Sequence, residues 1–298
     1  MSSELLIAVI AGLGGMLGWG VADFFAKKTI DELGDVMTLA WAGVFGTAVF
    51  LVAVAYQGVV SGQAPTIPQD PTTWLTLAFL GALQGAVYIF VYRGFAKGKV
   101  GLLSPLFASF SGIVALVSIV FLGEPTSILR ILALGVTFAG VIILNADLSA
   151  ISSLRFRFTK IGGFTDVAIG TILAAIWTIL WERFVSGTDW LVYAFYMFAF
   201  MTIAVFLFAG FQRLSFFVSR RGLWIFLAAI GVSETVAYIA ISLGYGVTSL
   251  VSVVSILSAS FSLPTIILAH IFLKERTTRT QSIGTLITIA GVVLLAVV

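Results

Sequence analysis

The chain has no cysteine, a single histidine, and charged side chains at only 10% of its 298 positions. Without cysteine there is no disulfide framework and no thiol nucleophile. One histidine with no cysteine beside it cannot build a metal centre. The scarcity of charge excludes an ordinary soluble domain, in which about 25% of residues are charged. Lysine and arginine are missing from the middle of every apolar run. That argues against phosphorylated solutes, which would need a buried cation. The net charge of +3 does not point to nucleic acid, because the basic residues fall between apolar runs and not along one face. A cleavable leader is not expected either: the first apolar run lacks a basic lead-in and continues to membrane length.

What is present is apolar. Hydrophobic residues make up 60% of the chain, and ten runs of membrane length can be drawn, at about 4–26, 36–57, 73–95, 100–122, 126–145, 161–183, 189–210, 222–244, 248–272 and 279–297. The pattern predicts an all-α, polytopic membrane protein with the lipid bilayer as its surroundings. The loops are too short for a soluble domain. Trp41, Trp74, Trp190 and Trp224 fall near segment starts, as interfacial anchors do. Fourteen of the 16 basic residues lie in the loops after segments 1, 3, 5, 7 and 9. By the positive-inside rule those loops are cytoplasmic and both termini are outside the cell.

The chain also repeats itself. Residues 121–144, FLGEPTSILRILALGVTFAGVIIL, match 272–295, FLKERTTRTQSIGTLITIAGVVLL, at nine of 24 positions. Upstream, SPLFASFS (104–111) matches SILSASFS (255–262) at the same offset of 151. At an offset of 150, Trp74, Gly81, Tyr88 and Gly94 pair with Trp224, Gly231, Tyr238 and Gly244. We therefore expect two five-helix repeats, 1–145 and 161–298, joined by a cytoplasmic linker at 146–160. Five is odd, so the second repeat crosses the membrane in the opposite sense. Inverted repeats of this kind mark transporters with a site near the midplane.

These residues resemble the drug/metabolite transporter superfamily in its EamA-type branch. The likeness rests on GWGVADFFAKK (18–28), YRGFAKGKVGLLSP (92–105), and FLGEP (121–125) with FLKER (272–276) before the closing AGV helices. It implies ten-helix carriers of small metabolites, often exporters of amino acids, with a central cavity lined mainly by helices 1, 3, 4, 6, 8 and 9. Many members of the family are thought to keep both termini in the cytoplasm, and the charge bias here departs from that.

One residue stands out chemically. Glu234 is the midpoint of WIFLAAIGVSETVAYIAISLG (224–244), where a carboxylate costs about 2.5 kcal/mol or more. Ser233, Thr235 and Tyr238 are near enough along the helix to bond it or a ligand. The repeat aligns Gln84 with Glu234, and each has a tyrosine four residues later, Tyr88 and Tyr238. Trp19 and Trp177 lie inside their segments, away from the interfaces, and are further candidates for a cavity wall. Ser109 and Ser260 belong to the serine-rich segments 4 and 9. Gly18 and Gly20 are candidate gate positions in a glycine-rich segment 1, with close helix packing as the plainer reading of its GxxxG pattern. Asp23 reads either as a gate residue or as the partner of Lys27 one turn on. Glu124 and Glu275 are read as structural carboxylates at helix starts. An intramembrane enzyme would need a second acid, a histidine or a metal near Glu234, and no such group is expected. The reading is a monomeric secondary transporter in the inner membrane that needs no cofactor. It would move a small neutral or zwitterionic, amino-acid-like metabolite, with a proton or an ammonium on Glu234. A lipophilic-cation exporter and a channel or lipid flippase are the alternatives.

Overall fold

Long apolar runs with no competing polar backbone partner satisfy their hydrogen bonds internally, and in lipid that means helices. The computed structural model describes residues 3–62, 64–97, 100–145, 162–218, 220–274 and 278–297, and all regular structure in them is helical. In the first half these are α1 Ser3–Leu33, α2 Asp35–Ser61, α3 Pro71–Lys97, α4 Val100–Ala108, α5 Phe110–Val120 and α6 Ile128–Asn145. In the second they are α7 Phe164–Val185, α8 Trp190–Phe211, α9 Leu223–Val247, α10 Val251–Ser258, α11 Ser262–Leu273 and α12 Arg279–Val297. Eight units are long and apolar enough to cross a bilayer, and two shorter apolar helices, Leu106–Val120 and Arg279–Leu295, complete ten spans. The all-α polytopic fold is therefore present. The linker at 146–160, Glu275 and the Lys27 side chain lie outside the described residues.

Two spans expected as single helices are broken. Span 4 turns at Ser109 between α4 and α5, and span 9 tightens to a 3₁₀ turn over Ala259–Phe261 between α10 and α11. The breaks are repeat-related, since Ser109 and Ser260 are 151 residues apart. Each serine hydroxyl donates to a carbonyl of the preceding turn: Ser109 Oγ to Leu106 O at 2.6 Å, and Ser260 Oγ to Ile256 O at 3.0 Å. Such bonds compete with the helix ladder and bend it.

Glycines set the close contacts. On α1, Gly18 lies against the Ser233 carbonyl and Ala237 of α9, while Gly20 lies against Pro264 and the Phe261 carbonyl at the α10–α11 joint. α1 is thus wedged between span 8 and span 9, with a glycine on each of two opposite sides letting the neighbour approach its backbone. The repeat reappears as mutual packing: Gly140 of α6 meets Thr288 of α12, and Gly291 of α12 meets Thr137 of α6. Gly81 of α3 packs on Met197 and Met201 of α8, and its counterpart Gly231 of α9 packs on Ala42 and Gly46 of α2. The third span of each repeat accordingly sits among helices of the other. α3 lies against α7 and α8, and α9 lies against α1 and α2.

The two ends differ. The end without the basic loops is pinned at the start of α10, where Glu4 accepts from Ser249 N (2.7 Å) and Oγ (2.6 Å). Glu124 accepts there from Ser252 N (2.9 Å) and from Ser252 Oγ. Glu124 was expected to serve the start of its own helix; instead it crosses to the other half and meets the N-terminal turn of α10, where backbone N–H groups are free. At the basic end, Asn145 Oδ1 accepts from Ser104 Oγ (2.8 Å) and Ser262 Oγ (2.7 Å), tying α4 to α11. Two exposed ion pairs also join the halves there, Lys97–Asp166 and Arg220–Glu32.

Candidate functional site

Glu234 and Gln84 face each other across the bundle centre, and both are buried, at 8% and 7% exposure. α3 and α9 run antiparallel in the repeat, so a tyrosine one turn past each polar residue reaches the partner helix. The pairing is crossed. Tyr88 Oη donates to Glu234 Oε2 (3.2 Å), and Gln84 Nε2 donates to Tyr238 Oη (2.8 Å). The two tyrosine oxygens lie 3.3 Å apart, on the line between the repeats. Met201 Sδ is 3.9 Å from Tyr238 Oη.

This chain accommodates two charge states of the acid. With Glu234 ionised, donation runs one way: Gln84 N–H to Tyr238, Tyr238 O–H to Tyr88, Tyr88 O–H to the carboxylate. With Glu234 protonated, its O–H donates to Tyr88, Tyr88 donates to Tyr238, and the Tyr238 hydrogen turns to Met201 Sδ. A hydroxyl offers one donor and two acceptor sites, so neither tyrosine hydroxyl is left without a partner in either state. The network needs only hydroxyl rotation to follow a proton.

The row borders a cavity of about 220 Å³. Trp19, Gln84, Tyr88, Trp177 and Glu234 line it, with Asp23, Tyr92, Ser104, Phe107, Phe110, Thr178, Phe261 and Ser262 among the other wall residues. These come from spans 1, 3, 4, 6, 8 and 9. Phe110 and Phe261 follow the two broken joints at equivalent repeat positions, so the breaks present their aromatic rings to the cavity. Among the described residues, two buried polar atoms at the wall lack a well-formed hydrogen bond: Gln84 Oε1, and Trp19 Nε1, whose N–H is directed towards the Glu234 carboxyl without meeting hydrogen-bond geometry. One is an acceptor and the other a donor. Trp19 and Trp177 meet Tyr238 edge-on, with centroids 5.8 and 6.1 Å away, and Trp177 Nε1 is anchored on Leu80 O at 3.0 Å.

Other candidates sit elsewhere. Tyr238 belongs to the row but is fully buried and is not part of the wall. Ser109 and Ser260 belong to the helix joints, with their hydroxyls turned to their own backbone. Gly18 and Gly20 are contact positions under other helices. Thr235 bonds the carbonyls of Gly46 (3.0 Å) and Gly231 (2.9 Å), so it faces α2 and not the acid beside it. Tyr238 reaches Glu234 only through Tyr88, because the crossed pairing takes each tyrosine to the opposite helix.

One expectation is overturned. No second acid was expected near Glu234, yet Asp23 shares the same cavity wall. Its position has a simple cause: Asp23 is four residues after Trp19, about one helical turn, so both occupy one face of α1. Asn145, Tyr92 and Phe110 were missed. The repeat of Ser104–Ser111 in Ser255–Ser262 was the signal for the joint, because it puts serine clusters at equivalent places in both halves, where their hydroxyls can compete with the helix ladder.

An acid-bearing, aromatic-walled cavity between inverted repeats lies where membrane transporters built this way hold their solute. The profile of the EamA-like transporter family matches residues 6–146 and 163–297. The chain belongs to that family, whose members are membrane transporters of the drug/metabolite type. A crystal structure, described only as that of a protein, aligns over 97% of each chain with a TM-score of 0.78 and 16% identity, a likeness of fold. No curated protein matches the chain in sequence.

Proposed function

We propose that the protein is a secondary transporter that moves a small amino-acid-like metabolite by alternating access, with Glu234 exchanging a proton or holding the solute's ammonium group. The crossed row Gln84–Tyr238–Tyr88–Glu234 at the cavity wall carries this reading, because it accepts either charge state of the acid without an unmatched hydroxyl. Trp19 and Trp177 would flank the solute's apolar part, and Gln84 Oε1 and Trp19 Nε1 would bond its polar groups. Ser109 and Ser260 would act as joints that let spans 4 and 9 bend. Gly18 and Gly20 would let α1 slide between its neighbours. The repeats would be 1–145 and 161–298, and the basic loops with the 146–160 linker would face the cytoplasm of a cell whose inner membrane holds the protein as a monomer.

A neutral or zwitterionic solute follows from the absence of lysine, arginine and histidine at the wall among the described residues. A second reading, an organic cation, is favoured by Asp23. Two carboxylates and several aromatic faces suit a cation, which each ring attracts by about 0.5–2 kcal/mol.

The test is a thermal-stabilisation screen of purified protein against zwitterionic amino acids and aromatic amines, followed by uptake into proteoliposomes at several pH values. Glu234→Gln should abolish the pH dependence of transport for the stabilising solute. An unchanged pH profile would sink the assignment of Glu234.

A further inference from the structure

A second, much smaller cavity meets the first at Glu234 and Asp23. It is lined by Ala22, Ala26 and Ile30 on three successive turns of α1, by Asp35, Thr38 and Leu39 at the start of α2, by Tyr92 on α3, and by Ile230 on α9. From residue 22 to residue 30 a helix rises about 12 Å. The residues around it therefore extend from the buried acid towards the end of the bundle where α1 turns into α2. Asp35, the first residue of α2, stands at that end, with its Oδ1 accepting from Val36 N at 2.8 Å.

The free space in this cleft is about 10 Å³. That is roughly the space one water needs, and far too little for an organic solute. Its walls are otherwise apolar, but the Thr38 hydroxyl, on a residue only 3% exposed, is buried with no partner. A hydroxyl left unmatched beside a water-sized space is the kind of group that ordered water satisfies. The acid series alone would be no site. The orphaned Thr38 hydroxyl and the water-sized space bordered by Asp23, Asp35 and Glu234 point to water and a proton.

We propose that protons reach Glu234 through this cleft, by way of Asp35, a water held by Thr38, and Asp23, on a path separate from the solute's. The inference rests on the reading of Glu234 as a group that exchanges a proton. At each step a carboxylate accepts a proton from hydronium or from the preceding carboxylic acid, and returns to the carboxylate when it passes that proton on. The net change is one proton moved from bulk water to Glu234. The titratable groups that face this path are Asp23 on α1, Asp35 on α2, Tyr88 and Tyr92 on α3, and Glu234 with Tyr238 on α9. The functional consequence is order: a proton can come or go while the main cavity is filled, so solute and proton need not queue for one passage.

The test is infrared spectroscopy of the full chain reconstituted in lipid, transferred from H₂O to D₂O at a pH where the protonated-carboxyl band is present. The band that disappears in Glu234→Gln reports the central acid. Its hydrogen–deuterium exchange time should lengthen about tenfold in Asp23→Asn, a barrier increase of about 1.4 kcal/mol. Thr38→Val, which keeps shape and removes only the hydroxyl, should slow it as well. Wild-type exchange in Asp23→Asn would overturn the route and leave the assignment of Glu234 standing. If Asp23→Asn does not fold, Thr38→Val decides alone, and an unchanged rate overturns the route. A spectrum with no band that depends on Glu234 at any pH overturns both the route and the proton-exchange reading beneath it.

Discussion

Replacing Gly18 by alanine separates the two roles open to the glycines of α1. A Cβ at this position would stand 2.6 Å from the Ser233 carbonyl oxygen, 2.7 Å from Ala237 N and 2.8 Å from Ala237 Cβ. Two of those atoms are backbone and the third is fixed to it, so no rotamer change can relieve the contact. α1 and α9 must move apart by nearly an ångström, against a core that tolerates added methylenes at a cost of about 1–3 kcal/mol. Alanine also favours the helix over glycine by about 1 kcal/mol. Gly18→Ala should therefore lower stability by up to about 2 kcal/mol. Gly135 of α6 has nothing within 4 Å of its hypothetical Cβ. Gly135→Ala should gain the helix term alone, up to about 1 kcal/mol. Equilibrium unfolding of both variants in the same micelles by a denaturing detergent reads the difference directly. Opposite signs are expected. If Gly18→Ala is as stable as wild type or more so, α1 is not clamped by α9 and the packing account is wrong. The variant also displaces Trp19, its neighbour, so solute affinity should fall alongside stability.

Two further outcomes are expected. Asn145→Ala removes both serine bonds at the basic end, each worth about 0.6 kcal/mol in a membrane, so opening of that contact should rise about eightfold. A single cysteine at Phe107 in the cysteine-free chain reports this through its reaction rate with a thiol reagent, and an unchanged rate would count against Asn145 as a latch. A cysteine added at either terminus should react with an impermeant reagent from outside the cell; reaction only after permeabilisation would reverse the orientation inferred from the basic loops.

Much of this architecture could be read from the chain, for identifiable reasons. Ten apolar runs and an internal repeat suffice for ten spans, because lipid leaves the backbone no alternative to the helix. The internal repeat alone brings Gln84, Tyr88, Glu234 and Tyr238 together. It could not show that the hydrogen bonds cross from each half to the other, since that depends on how far apart α3 and α9 stand. Asp23 is legible as a gate candidate or as the partner of a lysine one turn away, but not as a neighbour of Tyr92 on α3 and Glu234 on α9, which are more than sixty residues distant in sequence. The breaks in spans 4 and 9 were hidden for a related reason. Their serine clusters recur in both halves, but serines also permit close helix packing, and only the serine–backbone bonds at Ser109 and Ser260 show the bend.

The interleaving of the third helices bears on how the protein is made. The glycine face of α1 is finished at Leu33, but its cover, α9, does not begin until Leu223. At about 5–20 residues per second, α1 waits roughly ten to forty seconds in the bilayer with Asp23 on the face later covered by its partners. During that interval the first half cannot close on itself, because α3 is waiting too, for α7 and α8. The membrane insertion machinery, or the lipid around it, must hold half a carrier open until the other half arrives. A weakened α1 face should then lower the yield of folded protein as well as the stability of what does fold.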